Sequence, residues 1–142
     1  MIVIDINILI YAYHTAAPLH RPAKRWVEKT FLGSEPVGLA WSVLHAFLRL
    51  TTGPGILSPP MSMVGSASIL SEWLSRPIAH VVEPGNRYWP VLHRLLIDSQ
   101  IRGGMVMDAH LAALTIENAA ILYTTDKDFS RFDELRVVNP LV

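Results

Sequence analysis

The hydrophobic pattern opens on Met1-Ile2-Val3-Ile4-Asp5-Ile6-Asn7-Ile8. A short β-branched apolar run reads as a buried strand, here over residues 2–5. A carboxylate is costly to bury unless it is paired, hydrogen-bonded or bound to a metal, so Asp5 is expected at a mouth where the strand emerges. Residues 6–13 stay apolar without alternation and read as a helix leaving the strand end. Leu19, Ala23, Trp26, Val27, Thr30 and Phe31 recur at helical spacing, with Gly33 as the expected C-cap. Residues 36–40 form a second predicted strand. Ser42 is the expected N-cap of a helix carried by Val43, Leu44, Phe47, Leu48 and Leu50, which Gly53-Pro54-Gly55 ends. The next helix starts at Ser62 or Ser66 and runs through Ile69, Leu70, Trp73 and Leu74. A strand over 78–82 follows, then a helix over 88–100 with Asn86 as its cap. The chain closes with a helix over 107–118, a strand over 120–124, a turn or short helix over 126–132 and a strand over 135–138. Strands alternating with helices predict an α/β fold, a parallel sheet covered on both faces. The length predicts one domain over residues 1–142.

Composition narrows the class. Apolar residues make up 51% of the chain and charged ones only 17%, which suits a packed core and excludes intrinsic disorder. No apolar stretch reaches the roughly 18 residues of a membrane span, and the first residues lack a basic segment, so neither membrane insertion nor a signal peptide is expected. Cysteine is absent, which excludes disulfides and thiolate metal sites. A cytoplasmic location is the expectation. Net charge is zero, so a basic surface does not advertise nucleic acid, though a basic rim around an acidic centre is compatible with it.

Candidate chemistry lies in the acids. Open parallel sheets bind ligands at the carboxyl ends of their strands. Asp5 ends the first strand and Asp126 follows the fourth. Asp108 opens the helix leading into the fourth strand, and a right-handed crossover brings that start towards the same edge. Each acid has a plain role when taken alone, Asp108 at a helix N-terminus and Asp126 in a turn. Three at one edge point to a site.

The stretches Ile4-Asp5-Ile6-Asn7, Phe47-Leu48-Arg49-Leu50-Thr51-Thr52, Asp108-Ala109-His110-Leu111-Ala112-Ala113-Leu114 and Thr124-Thr125-Asp126-Lys127-Asp128-Phe129, in this order, resemble those of PIN-domain ribonuclease toxins of the VapC family. The resemblance spans nearly the whole chain. It implies a three-layer α/β/α domain with a central parallel sheet of about five strands. It also implies an endoribonuclease, the toxin of a type II toxin–antitoxin pair, that holds Mg²⁺ or Mn²⁺ and hydrolyses tRNA or rRNA. The implied partners are a VapB-type antitoxin and a second copy of the chain. Asp5, Asp108 and Asp126 become the expected metal ligands, direct or through water. Asn7 would orient a carboxylate or a water, and Thr124 or Thr125 would donate a hydrogen bond to an acid. The residue chemistry agrees: Mg²⁺ is hard and takes carboxylate oxygens plus waters, and crowded carboxylates repel unless a cation joins them.

One position departs from the family pattern. A Glu is expected immediately before Phe-Leu-Arg, and the chain has Ala46 there, preceded by His45. Adjacent helical residues point about 100° apart, so His45 does not replace that Glu. It reads as a partly buried helix residue or as a supporting group for phosphate or Mn²⁺. Asp128 is a substitute acid or a solvated one. Arg49 would bridge Asp126, contact phosphate or join a structural ion pair. Arg102 is a candidate phosphate contact. His20, Arg21, Lys24 and Arg25 rim an RNA entrance or form a solvated helix face. His110 lies about 200° around its helix from Asp108 and is not expected as a ligand. The aromatics Trp26, Phe31, Trp41, Phe47, Trp73 and Trp89 read mostly as core or interface, and Tyr11 and Tyr13 as an antitoxin surface. Two other function classes compete. One is a PIN fold weakened by Ala46 that only binds RNA or protein. The other is a phosphatase or receiver-like α/β domain using Asp5 as a phosphoacceptor, disfavoured because the second early acid and the later Lys that such sites use are missing.

Overall fold

A computed structural model describes residues 1–142. Strand β1 is Ile2–Ile4 and helix α1 is Ile6–Tyr11, with Asp5 between them as N-cap in extended conformation. Helix α2, His20–Phe31, leads to β2, Val37–Ala40. Helix α3, Trp41–Thr52, follows without a loop, and α4 is Met63–Ser75. Strand β3 is Ala79–Val82 and helix α5 is Tyr88–Asp98. Helix α6, Val106–Glu117, precedes β4, Ile121–Tyr123, and β5, Val137–Val138. Short 3₁₀ turns cover Gly103–Met105 and Lys127–Arg131.

The five strands form one sheet in the order β3-β2-β1-β4-β5, and every pair is parallel. From the central β1 the chain winds outward to β2 and β3, then returns to β4 on the other side of β1. The winding therefore reverses between β1 and β4, the place where open α/β sheets leave a crevice beyond their carboxyl ends. Helices cover both faces, which buries β2 at all four positions and gives the three-layer α/β/α architecture. No helix is long and apolar enough to cross a membrane. Between α2, α3 and α4 the core is aromatic: Trp73 stacks on Phe31 (5.5 Å between centroids) and meets Phe47 edge-on at 4.9 Å. Trp26 stacks on Tyr123. Trp41 and Trp89, read as core or interface, are exposed and stand outside the core.

Three expected caps are made differently. Ser62 does cap α4, accepting the Gly65 N–H at 3.0 Å. Ser42, in contrast, sits inside α3, whose N-cap is Ala40; with no loop after β2, helical geometry begins two residues too early for Ser42 to cap it. Asn86 does not cap α5 either. The carboxylate of Glu117, from α6, accepts the N–H groups of Gly85 and Arg87 at 2.8 and 3.0 Å, so a distant side chain replaces a local one. Gly33 follows α2 without the left-handed backbone of a glycine C-cap.

Gly38 sits mid-sheet on β2, between β1 and β3. A Cβ there would meet Val82 Cγ1 at 2.9 Å, with Met1 Sδ and Val3 Cγ2 each at 3.2 Å. Gly38→Ala is expected to overpack both neighbouring strands and destabilise the fold by about 1–3 kcal/mol, read as a lower denaturation midpoint in urea.

Candidate active site

Asp5 follows β1 directly, and its main-chain N–H donates to the Tyr123 carbonyl of β4 at 3.0 Å. Its side chain is only 7% exposed. Oδ1 accepts the Ile6 N–H at 2.8 Å and Oδ2 accepts the Thr124 hydroxyl at 2.7 Å. The same hydroxyl accepts the Asp126 N–H at 3.0 Å and, weakly, the Asn7 amide Nδ2 at 3.4 Å. Thr124 thus uses its one donor and both acceptor sites. Burial pushes the Asp5 carboxyl above the usual carboxylate range, Thr124 and the Ile6 N–H pull it down, and nearby Asp126 adds to the rise. Asn7 Oδ1 is buried with no hydrogen-bond partner. An orphaned acceptor of this kind calls for an explanation such as an ion or a water.

Asp108 stands in the first turn of α6 and shares one pocket of about 200 Å³ with Asp5. Ser42, Ala46 and Arg49 of α3 line another wall, and Met107 and Leu111 complete it on the α6 side. Residues 42, 46 and 49 recur at the spacing of one helical stripe. The methyl of Ala46 therefore faces the pocket at the position where Glu was expected. Asp108 is also pushed above the usual range, first by burial, then by the charges of Asp126, Asp5 and Asp128, with Arg131 opposing.

Asp126 is close enough to act on both carboxylates, yet it is not part of the pocket wall, and its Oδ1 accepts the Asp128 N–H at 2.9 Å. Asp128 is exposed, with Arg131 at 3.9 Å. No three Asp, Glu or His side chains gather at the spacing of a direct metal cage. The donor set that lines the pocket is two hard carboxylates, each destabilised as an anion. That set fits a divalent ion that keeps part of its water shell, as Mg²⁺ does.

The other expected residues separate. Thr124 supplies the donor to the acid, and Thr125 makes no such bond. Arg49 lies at the pocket and is exposed, without the bridge to Asp126 or any other ion pair. His45 is exposed rather than partly buried, and its ring rests on Trp41 with centroids 5.8 Å apart, because position 45 turns away from the stripe that holds Ala46. Arg102, Arg21 and Lys24 are exposed and lie outside the acid pocket. Lys24 instead borders a second hollow with Tyr13 and His20. His110 pairs through Nδ1 with the Tyr88 hydroxyl at 2.6 Å. Ser42 is the lining residue missed by sequence reasoning; stepping back four and seven residues from Ala46 and Arg49 along the helix would have found it.

Fold and site together define an α/β/α domain with a carboxylate-lined crevice at the switch point of its parallel sheet. Residues 2–135 match the PIN domain model, and the chain belongs to the PIN-domain family, among the VapC ribonucleases. It is similar to ribonuclease VapC37 of Mycobacterium tuberculosis, 36% identical over 140 residues that cover 99% of this chain and 97% of the relative. In fold it is similar to VapBC2 from Rickettsia felis, solved bound to a DNA fragment from its promoter, with a TM-score of 0.68, 20% identity and 98% of each chain covered. It is also similar to VapC20 of Mycobacterium tuberculosis, described as a toxin cleaving the sarcin–ricin loop, with a TM-score of 0.64, 22% identity and 96% and 99% of the two chains covered.

The raised Asp108 carboxyl has a consequence for stability. An acid whose folded pKa exceeds its unfolded one favours the fold while protonated and costs stability as pH rises from the ordinary carboxylate range through the raised value. In metal-free protein, Asp108→Asn is expected to raise Tm by a few degrees at pH 7. Below about pH 3, where the carboxyl is protonated in both states, the same change is expected to have little effect. Scanning calorimetry at the two pH values checks the sign.

Proposed function

We propose that the chain is a divalent-metal-dependent endoribonuclease, the toxin of a type II toxin–antitoxin pair, which hydrolyses phosphodiester bonds of tRNA or rRNA and so inhibits translation in the cytoplasm. The observation that carries this reading is the shared pocket of Asp5 and Asp108, two carboxylates each raised above the usual range at the sheet's switch point. The curated relatives bear ribonuclease names, and the similar folds include toxin–antitoxin complexes. A VapB-type antitoxin and a homodimeric assembly belong to the same reading.

Asp5 and Asp108 would hold Mg²⁺ or Mn²⁺, with Asp126 reaching it through water. When bound, such an ion lowers the pKa of a water and stabilises charge on the phosphoryl group and the leaving oxygen. The chain's own residues supply position. Thr124 holds the Asp5 carboxylate in one orientation, and the Asn7 amide oxygen is free to accept from a water beside it. Arg49, unpaired at the rim, offers a guanidinium to phosphate. Ala46 supports a second reading, a domain that binds RNA or protein without cutting it. Wild-type protein that binds RNA but releases no fragments with Mg²⁺ or Mn²⁺ would select that alternative.

Outer partners of metal sites already cost about 10–100-fold in affinity or activity when removed, so Asp5→Asn is expected to cost more than about 100-fold in RNA cleavage. Full cleavage and undiminished growth arrest by Asp5→Asn would refute the metal site. Ala46→Glu adds a carboxylate on the wall that faces Asp5 and Asp108. It is expected to tighten Mg²⁺ about tenfold, or ~1.4 kcal/mol, in isothermal titration calorimetry; unchanged or weaker binding would show that a Glu at this position is not a ligand.

A further inference from the structure

A second crevice of about 310 Å³ adjoins the acid pocket and shares Ser42 with it. Its wall includes Trp41, Glu83 and His110. Trp41 follows β2 and Glu83 follows β3, while Asp5 follows β1. The three lie in sequence along the carboxyl edge of adjacent parallel strands. At about 4.8 Å per strand, the step from β1 to β3 is about 10 Å, the reach of one nucleotide from its phosphate to its base. We propose that this crevice is a nucleobase subsite that reads guanine beside the scissile phosphate, a specificity element that rests on the ribonuclease reading above.

The chemistry is that of an unstacked base held on an aromatic face and read at its edge. Trp41 is 43% exposed although it begins a packed helix, and the His45 ring one turn on rests against the indole. A stacking platform is therefore present and propped. Glu83 is exposed and makes no ion pair. Its carboxylate accepts only, and guanine is the base that offers two adjacent donors, N1–H and the N2 amino group, to one carboxylate. His110 bonds to Tyr88 through Nδ1. With the phenol donating, Nε2 carries the ring hydrogen, a donor matched to guanine O6. Uracil offers one donor to the carboxylate, and adenine and cytosine offer an amino group beside an acceptor that the carboxylate repels.

The test measures binding apart from cutting. Octamers of uridine, and the same octamers with a single central G, A or C, are titrated by fluorescence anisotropy against Asp108→Asn protein, which is not expected to cut them. The single-G octamer is expected to bind at least about tenfold tighter than all-U. Adding Glu83→Gln is expected to bring that ratio to within about twofold, and adding Trp41→Ala to weaken all four octamers. Both side chains are exposed, and circular dichroism confirms folding of the variants. Equal binding of the four octamers, or a G preference that survives Glu83→Gln, overturns the subsite. Mapped cleavage by wild-type protein with Mn²⁺ separates the two proposals. Cutting without preference for G would overturn the subsite and leave the nuclease. A Glu83-dependent G preference in binding, without cutting by any wild-type sample, would keep the subsite and overturn the nuclease.

Discussion

The hydrogen bond from the Thr124 hydroxyl to the buried Asp5 carboxylate joins the two strands between which the sheet reverses its winding. The rest of the site hangs on it. Asp5 comes straight off β1 and Thr124 straight off β4, and parallel pairing puts Ile4 opposite Tyr123, so the two side chains meet by register. The same hydroxyl takes the Asp126 N–H and the Asn7 amide. Two side chains, Asp5 and Asn7, and the turn at Asp126 are thereby set by a single saturated oxygen. The carboxylate remains uncomfortable even so, since burial outweighs these bonds and lifts its pKa. The result is a destabilised anion held in one orientation.

Helix α3 supplies the opposite wall, and its direct junction with β2 decides what it presents. Because Ala40 is both strand end and helix cap, the stripe containing Ser42, Ala46 and Arg49 faces the acids, and His45 turns to Trp41 instead. The small side chain at position 46 leaves the acid pocket with two lining carboxylates, Asp5 and Asp108, and a nearby third, Asp126. The carboxyl edge continues past the pocket to Trp41 and Glu83, so the acids stand at one end of a longer track along β1, β2 and β3.

The α/β class, the number of strands and the order of helices were legible in the sequence because apolar runs of strand length alternate with helical spacing, and burial on both faces requires that pattern. Cap residues were less legible. Ser62 behaved locally, while the start of α5 is held by Glu117 from α6, a contact that no window around Asn86 contains. The aromatics divided for a similar reason: Phe31, Phe47 and Trp73 meet between three helices, and Trp41 begins its helix at the sheet edge, where it stays partly exposed beside His45.

By itself the sequence determined which acids to expect at the carboxyl edge, since Asp5, Asp108 and Asp126 each follow a strand end or open a helix there. It determined also that one expected carboxylate is Ala46. Only the tertiary structure decided how these groups share the work. It placed Asp5 and Asp108 in one pocket, kept Asp126 at the distance of a charge rather than a wall, and chose Thr124 over Thr125 as the donor. The physical reason is that the identity of a side chain is local, whereas the direction it faces depends on strand register and helix phase, which are settled by packing the whole sheet.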